Sequence, residues 1–103
     1  MVIEERIYTI QPERMKEYLA LYESEGLPIQ SKVLRMLGYF KTEDELLNQV
    51  VHLWAYDSME DRSRRRAELQ VAPGWKDYVA KIKPFYTKQE GRIMAPLPWS
   101  PIR

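Results

Sequence analysis

Cysteine is absent from these 103 residues. Its absence removes disulfides as a source of stability and thiolates as metal ligands. Histidine is reduced to one, His52. A zinc site built from several histidines of one chain is therefore excluded, and no metal is expected. An excess of one charge is also missing. Lys and Arg number 16 against 15 Asp and Glu, a formal net charge of +1, which gives no general field to attract nucleic acid or an anionic membrane. No apolar run approaches the roughly 18 residues of a membrane span, and Met1 to Arg6 lacks a basic region leading into an apolar stretch. The expected location is cytoplasmic, or else the chain is a domain without its targeting segment. Phosphate loops, dinucleotide glycine fingerprints and serine or cysteine hydrolase signatures are absent too.

What is present is a composition of 45% hydrophobic and 30% charged residues, that of a folded domain. One domain over 1–103 is expected, with an extended tail over 96–103 set by Pro96, Pro98 and Pro101. A domain this small buries only about 60–68% of its unfolded surface, so burial against a partner would matter.

Val2–Ile10 alternates and is rich in β-formers, which predicts a first strand, with Ile3 and Ile7 on one face and Glu4, Arg6 and Tyr8 on the other. Pro12 suits a first helical position, and Met15, Tyr18, Leu19 and Tyr22 follow at helical spacing. Gly26-Leu27-Pro28 interrupts that helix and opens a short second segment. Met36–Glu43 and Asn48–Tyr56 read as strands two and three, joined by a hairpin loop over Asp44 to Leu47. Ser58 and Asp61 have capping-box spacing ahead of a helix to about Gln70. Trp75, Tyr78, Val79 and Ile82 predict a further helix, and Tyr86 to Ala95 a fourth strand. The order βαββαβ with right-handed crossovers gives an α+β, ferredoxin-like fold with a four-stranded antiparallel sheet.

In strand three, Asn48, Val50, His52, Trp54 and Tyr56 point one way and Gln49, Val51, Leu53 and Ala55 the other. Both sets are substantially apolar, and helices cover one face only. The second set is expected to meet the helices. The first set is then left to pack on a second copy of the chain, giving a two-fold homodimer. Leu97 and Trp99 of the tail would lie across the partner.

The stretches Glu4-x-Arg6-x-Tyr8-Thr9-Ile10, Gly26-Leu27-Pro28-Ile29-Gln30 and Gly38-Tyr39-Phe40 resemble the NIPSNAP family. So do Leu47-Asn48-Gln49-Val50-Val51-His52-Leu53-Trp54-Ala55-Tyr56-Asp57-Ser58 with the arginines that follow, and the closing Gln89-Glu90-x-Arg92-Ile93-Met94-x-Pro96. The resemblance covers nearly the whole chain and its specific part is the central run. Gly91 departs from it, where Asn is expected. What the resemblance implies is a dimeric α+β barrel, an architecture that includes cofactor-free monooxygenases and haem-degrading enzymes. It implies no settled reaction, since fold does not fix function, and no cofactor is expected for this chain.

The candidate site is the face expected to be free of helices, gathering Glu4, Arg6, Tyr8, Tyr39, His52, Trp54, Tyr56, Glu90 and Arg92. An aromatic pocket excludes water, and a few polar groups orient a ligand. His52 is placed as acid or base, with Tyr39 and Tyr56 as assisting donors. Arg6 or Arg92 would anchor a carboxylate or enolate oxygen, and Trp54 would stack on a small planar or aromatic ligand. The competing structural reading is a cross-strand ladder that pairs Arg6 with Glu90 and Glu4 with Arg92. Two functions stand side by side. One is a cofactor-independent oxygenase or proton-transfer enzyme on a small planar substrate. The other is a non-enzymatic interaction module with a packed dimer interface.

The basic helix around Arg62, Arg64, Arg65 and Arg66 lacks interleaved aromatics and carries its own acids, so no nucleic-acid partner is expected. Arg62 or Arg66 is a candidate to turn inward and reach a carboxylate in the core.

Overall fold

A computed structural model of the chain describes residues 1–44 and 48–103. Strand β1 (Val2–Ile10) leads through a 3-10 turn at Pro12–Arg14 into α1 (Met15–Leu21). A π turn at Tyr22–Gly26 joins α1 to α2 (Leu27–Gln30). Strands β2 (Arg35–Lys41) and β3 (Gln49–Tyr56) follow, then α3 (Met59–Val71) and α4 (Trp75–Ile82). A 3-10 turn at Lys83–Phe85 leads into β4 (Tyr86–Met94). All pairings are antiparallel and the strand order is β2-β3-β1-β4. This is the α+β, ferredoxin-like arrangement that the order of elements predicts. Residues 45–47 of the expected hairpin loop lie outside the described residues.

Local chemistry explains the helix boundaries. Pro12 sits in the first turn, where its missing N–H leaves no bond unmade. The Ser58 hydroxyl accepts from the Asp61 N–H at 3.0 Å and caps α3. The reciprocal bond of a capping box is replaced. Asp61 accepts instead from the Asp57 N–H at 2.9 Å. Gly74 precedes α4 with φ at 87°, a left-handed conformation that disfavours any side chain. At Gly26 a Cβ would stand 2.6 Å from the Tyr78 ring and 2.9 Å from Tyr22. Glycine there lets the π turn close on α4.

The faces of the sheet are the reverse of the expectation. Val50, His52, Trp54 and Tyr56 are buried under the helices, in one cluster with Tyr18, Tyr22, Trp75, Tyr78 and Ile82. Gln49, Val51 and Leu53 lie on the open face and are only half-buried. The register carries the reversal into β1, because Glu4, Arg6 and Tyr8 stand opposite Trp54, His52 and Val50. They therefore face the helices, and Ile3 and Ile7 face away. In β4 the register is one residue off the expected ladder: Glu5 pairs with Arg92, Arg6 with Gly91 and Ile7 with Glu90. A shift of one residue moves a strand's side chains to the other face. Glu90 and Arg92 thus sit on the open face. The chain after Met94 turns at Pro98-Trp99, closed by the Ser100 N–H to the Leu97 carbonyl at 2.9 Å. It borders a groove with Ile3, Leu37 and Leu53.

Candidate functional site

The residues singled out in the sequence divide into a buried charge cluster, an aromatic clamp and an open-face pair. The charge cluster centres on Glu4, which is 3% exposed. Its Oε2 accepts from Arg62 Nη2 of α3 at 2.7 Å and from Arg6 Nη1 at 3.2 Å. Its Oε1 accepts from the Tyr56 hydroxyl at 3.1 Å. Burial alone would raise the pKa of Glu4. The hydrogen bond from Arg62 and the charges of Arg6, Arg66 and Arg62 outweigh it and hold the carboxyl below its usual value. The inward-reaching arginine is thus Arg62, and a buried carboxylate is acceptable because its oxygens are paired. Burial, and then the Glu4 charge, push the Tyr56 hydroxyl up to about 12.

The aromatic clamp holds His52. Tyr39 stacks on the imidazole with centroids 4.5 Å apart and planes 10° from parallel. Tyr8 meets it edge-on at 4.7 Å. The Trp54 indole N–H donates to His52 Nδ1 at 2.7 Å. An indole N–H can only donate, so Nδ1 carries the lone pair and a neutral imidazole has its proton on Nε2. Nε2 is buried and has no hydrogen-bond partner among the described residues. Burial first, then the nearby Arg6, push the His52 pKa down to about 3, so the ring is neutral at physiological pH. The Tyr39 hydroxyl shares a 2.6 Å hydrogen bond with that of Tyr18 from α1. Burial, followed by the interaction with Tyr18, holds the Tyr39 pKa far above the usual phenol value.

His52, Tyr8, Tyr39 and Arg6 line a cavity of about 170 Å³ between the sheet and the helices. Tyr18, Tyr22, Trp75 and Tyr78 close it from the helix side, and Tyr86 from β4. The exposed Gln70 and Gln89 mark its mouth, together with the half-buried Arg66. Among the described residues no Asp or Glu lines it. Trp54, Tyr56 and Glu4 lie outside the lining and act on it through His52 and Arg6.

The model of the NIPSNAP family matches residues 3–101 of this chain. The chain belongs to the NIPSNAP family. Among solved structures, this NIPSNAP domain is similar to protein Atu4242 from Agrobacterium tumefaciens, at 36% identity and a TM-score of 0.95 over the full length of both chains. It is 32% identical to the NipSnap homologue of Dictyostelium discoideum over 96 residues, 93% of this chain and 43% of that protein. The chain spans less than half the length of the curated relatives it matches. The backbone also resembles a putative antibiotic biosynthesis monooxygenase from Nitrosomonas europaea, with a TM-score of 0.72 and 9% identity over 94% of this chain and 99% of that one. That likeness is one of fold alone.

In this NIPSNAP domain Glu90 and Arg92 stand apart from the cavity. Arg92 pairs with Glu5 across the open face, and Glu90 with Lys88 at 3.4 Å. They correct the ladder expected with Glu4 and Arg6. The tyrosines of α1, the π turn and α4 were read only as a helix-packing stripe, yet they line the site. A stripe of Tyr18, Tyr22 and Tyr78 in place of leucines was the available signal, because buried hydroxyls need partners. Among the described residues no helix is long and apolar enough to cross a membrane.

Proposed function

We propose that this NIPSNAP domain binds a small, planar, mostly apolar molecule in the cavity beneath its helices. An oxygen of that molecule accepts the His52 Nε2–H. The carrying observation is that donor, buried without a partner on a residue that lines a cavity. Leaving such a group unsatisfied costs about 1–3 kcal/mol, which a ligand oxygen would recover. A cavity of about 170 Å³ suits a single ring with a substituent; a dry cavity of about 150 Å³ accepts benzene.

A neutral imidazole that donates to a carbonyl oxygen stabilises negative charge developing there. The reaction class supported is therefore oxygenation, with O2 as the oxidant, of a substrate that arrives as its enolate. His52 serves as the hydrogen-bond donor in this reading, because Trp54 already occupies the atom a base would use. No carboxylate of the described residues lines the cavity, so the substrate in this reading arrives already ionised. A binding protein without turnover would use the same contacts, and consumption of O2 in the presence of the ligand separates the two.

The first test is His52→Phe, which keeps a ring against Tyr39 and removes the donor. Affinity for a planar ketone such as acetophenone, read by calorimetry, is expected to fall about tenfold. The exchange keeps a ring in place but strands the Trp54 indole N–H, so stability should fall by about 1–3 kcal/mol with the fold retained. An unchanged affinity would remove His52 from the site, and outright unfolding would assign it to the core alone.

We also propose that the open face pairs with a second copy of the chain. Ile7, Val51 and Leu53 are half-buried there, Phe40 is 56% exposed, and Trp99 at the tail is 78% exposed. The face is self-complementary in charge, with Glu5 and Glu90 beside Arg92 and Lys88. Contiguous apolar surface of this kind marks an interaction site, and two-fold pairing is the commonest solution. Sedimentation at micromolar concentration is expected to show twice the 12.3 kDa chain mass. Leu53→Glu should return it to a monomer. A wild-type monomer would refute the pairing and leave the cavity reading untouched.

A further inference from the structure

We propose that the cavity takes its ligand as an anion, a small planar carboxylate whose oxygens meet Arg66 at the mouth while its ring lies among the tyrosines. This rests on the reading of the cavity as a ligand site, and adds the charge and chemical class of the ligand.

Three of the four arginines of α3 are paired with carboxylates. Arg62 is held by Glu4 at 2.7 Å. Arg64 pairs with Asp61 and stands 3.8 Å from Glu68. Arg65 donates to Asp61 at 3.0 Å and to the Val33 carbonyl at 2.9 Å. Arg66 has no hydrogen bond or ion pair among the described residues, although it is half-buried and lines the cavity. It stands one turn from Arg62 and one turn from Gln70, so these three share one face of the helix. The other cation of the lining, Arg6, is already committed to Glu4 and to the Tyr8 hydroxyl at 2.7 Å.

The charge balance points the same way. Arg6 and Arg66 line the cavity and, among the described residues, no acid does. The buried carboxylate of Glu4 is in direct contact with Arg6 and Arg62, and Arg66 is drawn to it only through space, which leaves the Arg66 guanidinium donors open to a ligand. The Arg66 charge is felt in the interior, since it contributes to holding Glu4 and His52 below their ordinary pKa values. A guanidinium offers paired donors matched to a carboxylate, and the Gln70 and Gln89 side chains at the mouth add amide donors. Tyr8, Tyr39 and Tyr86 line the remaining wall, an aromatic surround that suits a flat ligand body.

Benzoate and benzamide separate charge from shape, because they are nearly isosteric. Calorimetry on the whole chain near pH 7.5 is expected to give benzoate at least about tenfold tighter binding than benzamide. Arg66→Gln should bring the two within about twofold, and Arg66→Lys should keep much of the preference. Arg64→Gln removes an exposed charge from the same helix and should leave the ratio unchanged. Thermal melts of each variant check that the fold persists. Equal affinities in the wild type would overturn the proposal and leave the ligand site standing, as would a benzoate preference that survives Arg66→Gln. Failure of both probes, and of acetophenone, to bind at millimolar concentration would remove the ligand site and the proposal together.

Discussion

Glu4→Gln is expected to destabilise the domain by about 3 kcal/mol, measured by urea denaturation near pH 7. The carboxylate accepts from Arg62, Arg6 and Tyr56 and is 3% exposed. Replacing one oxygen by an amide NH2 turns a donor toward a guanidinium and leaves two arginines without their anion. The Arg6 and Arg62 side chains are 22% and 26% exposed, so water relieves part of the loss. That places the value near the low end of the roughly 3–5 kcal/mol seen when a buried pair is broken. Glu4→Leu combined with Arg62→Leu should lose less than the sum of the separate changes, since the charge left behind by each is removed by the other. A single-variant loss below about 1 kcal/mol would mean that the cluster is solvated.

The second large effect is on pH. His52 has a folded pKa of about 3 against an ordinary 6.5. The unfolded chain therefore binds a proton that the folded chain refuses, and stability falls as pH falls from 6.5 toward 3. The steepest slope is about 1.4 kcal/mol per pH unit. Between pH 6.5 and 4.5 the loss should reach about 2–3 kcal/mol, a large share of the roughly 5–15 kcal/mol that holds a domain together. His52→Phe should flatten this window when denaturation is followed at several pH values. The decline below about 4.5 should remain, because Glu4 and Asp61 are also held below their ordinary values and must be protonated there. A wild-type stability that stays level from pH 7 to 5 would mean that His52 titrates normally.

The order of elements was legible from periodicity and punctuation. Pro12 and Ser58 each stand where a helix or turn begins, and the spacings of Trp75, Tyr78 and Ile82 fix the buried side of α4. The face assignment was not legible from β3 itself. Val50, Trp54 and Tyr56 alternate with Val51, Leu53 and Ala55, and both sets are apolar enough to be core. In β1 the usual rule points the wrong way, since it places Ile3 and Ile7 inside and Glu4 and Arg6 outside. What overrides it is a residue far along the chain, Arg62, which supplies the buried carboxylate with a counterion. The grouping of Glu4, Arg6, Tyr8, Tyr39, His52, Trp54 and Tyr56 on one face was nevertheless correct, because alternation and pairing fix it whichever way the face turns. Glu90 and Arg92 fell out through a one-residue difference in register, which no local pattern in β4 encodes. Arg62 and Arg66 are equal candidates to turn inward in the sequence, because four arginines in five positions look alike; their partners give the carboxylate to Arg62 and the cavity wall to Arg66.

His52 is the single histidine of the chain. Nitrogen-15 NMR of the histidine ring therefore reads His52 without ambiguity. The result predicted is a neutral ring from pH 8 down to about 4.5, its proton on Nε2, with that N–H resonance moving when a planar acceptor such as acetophenone is added. A ring that titrates near 6.5, or one that carries its proton on Nδ1, would contradict it.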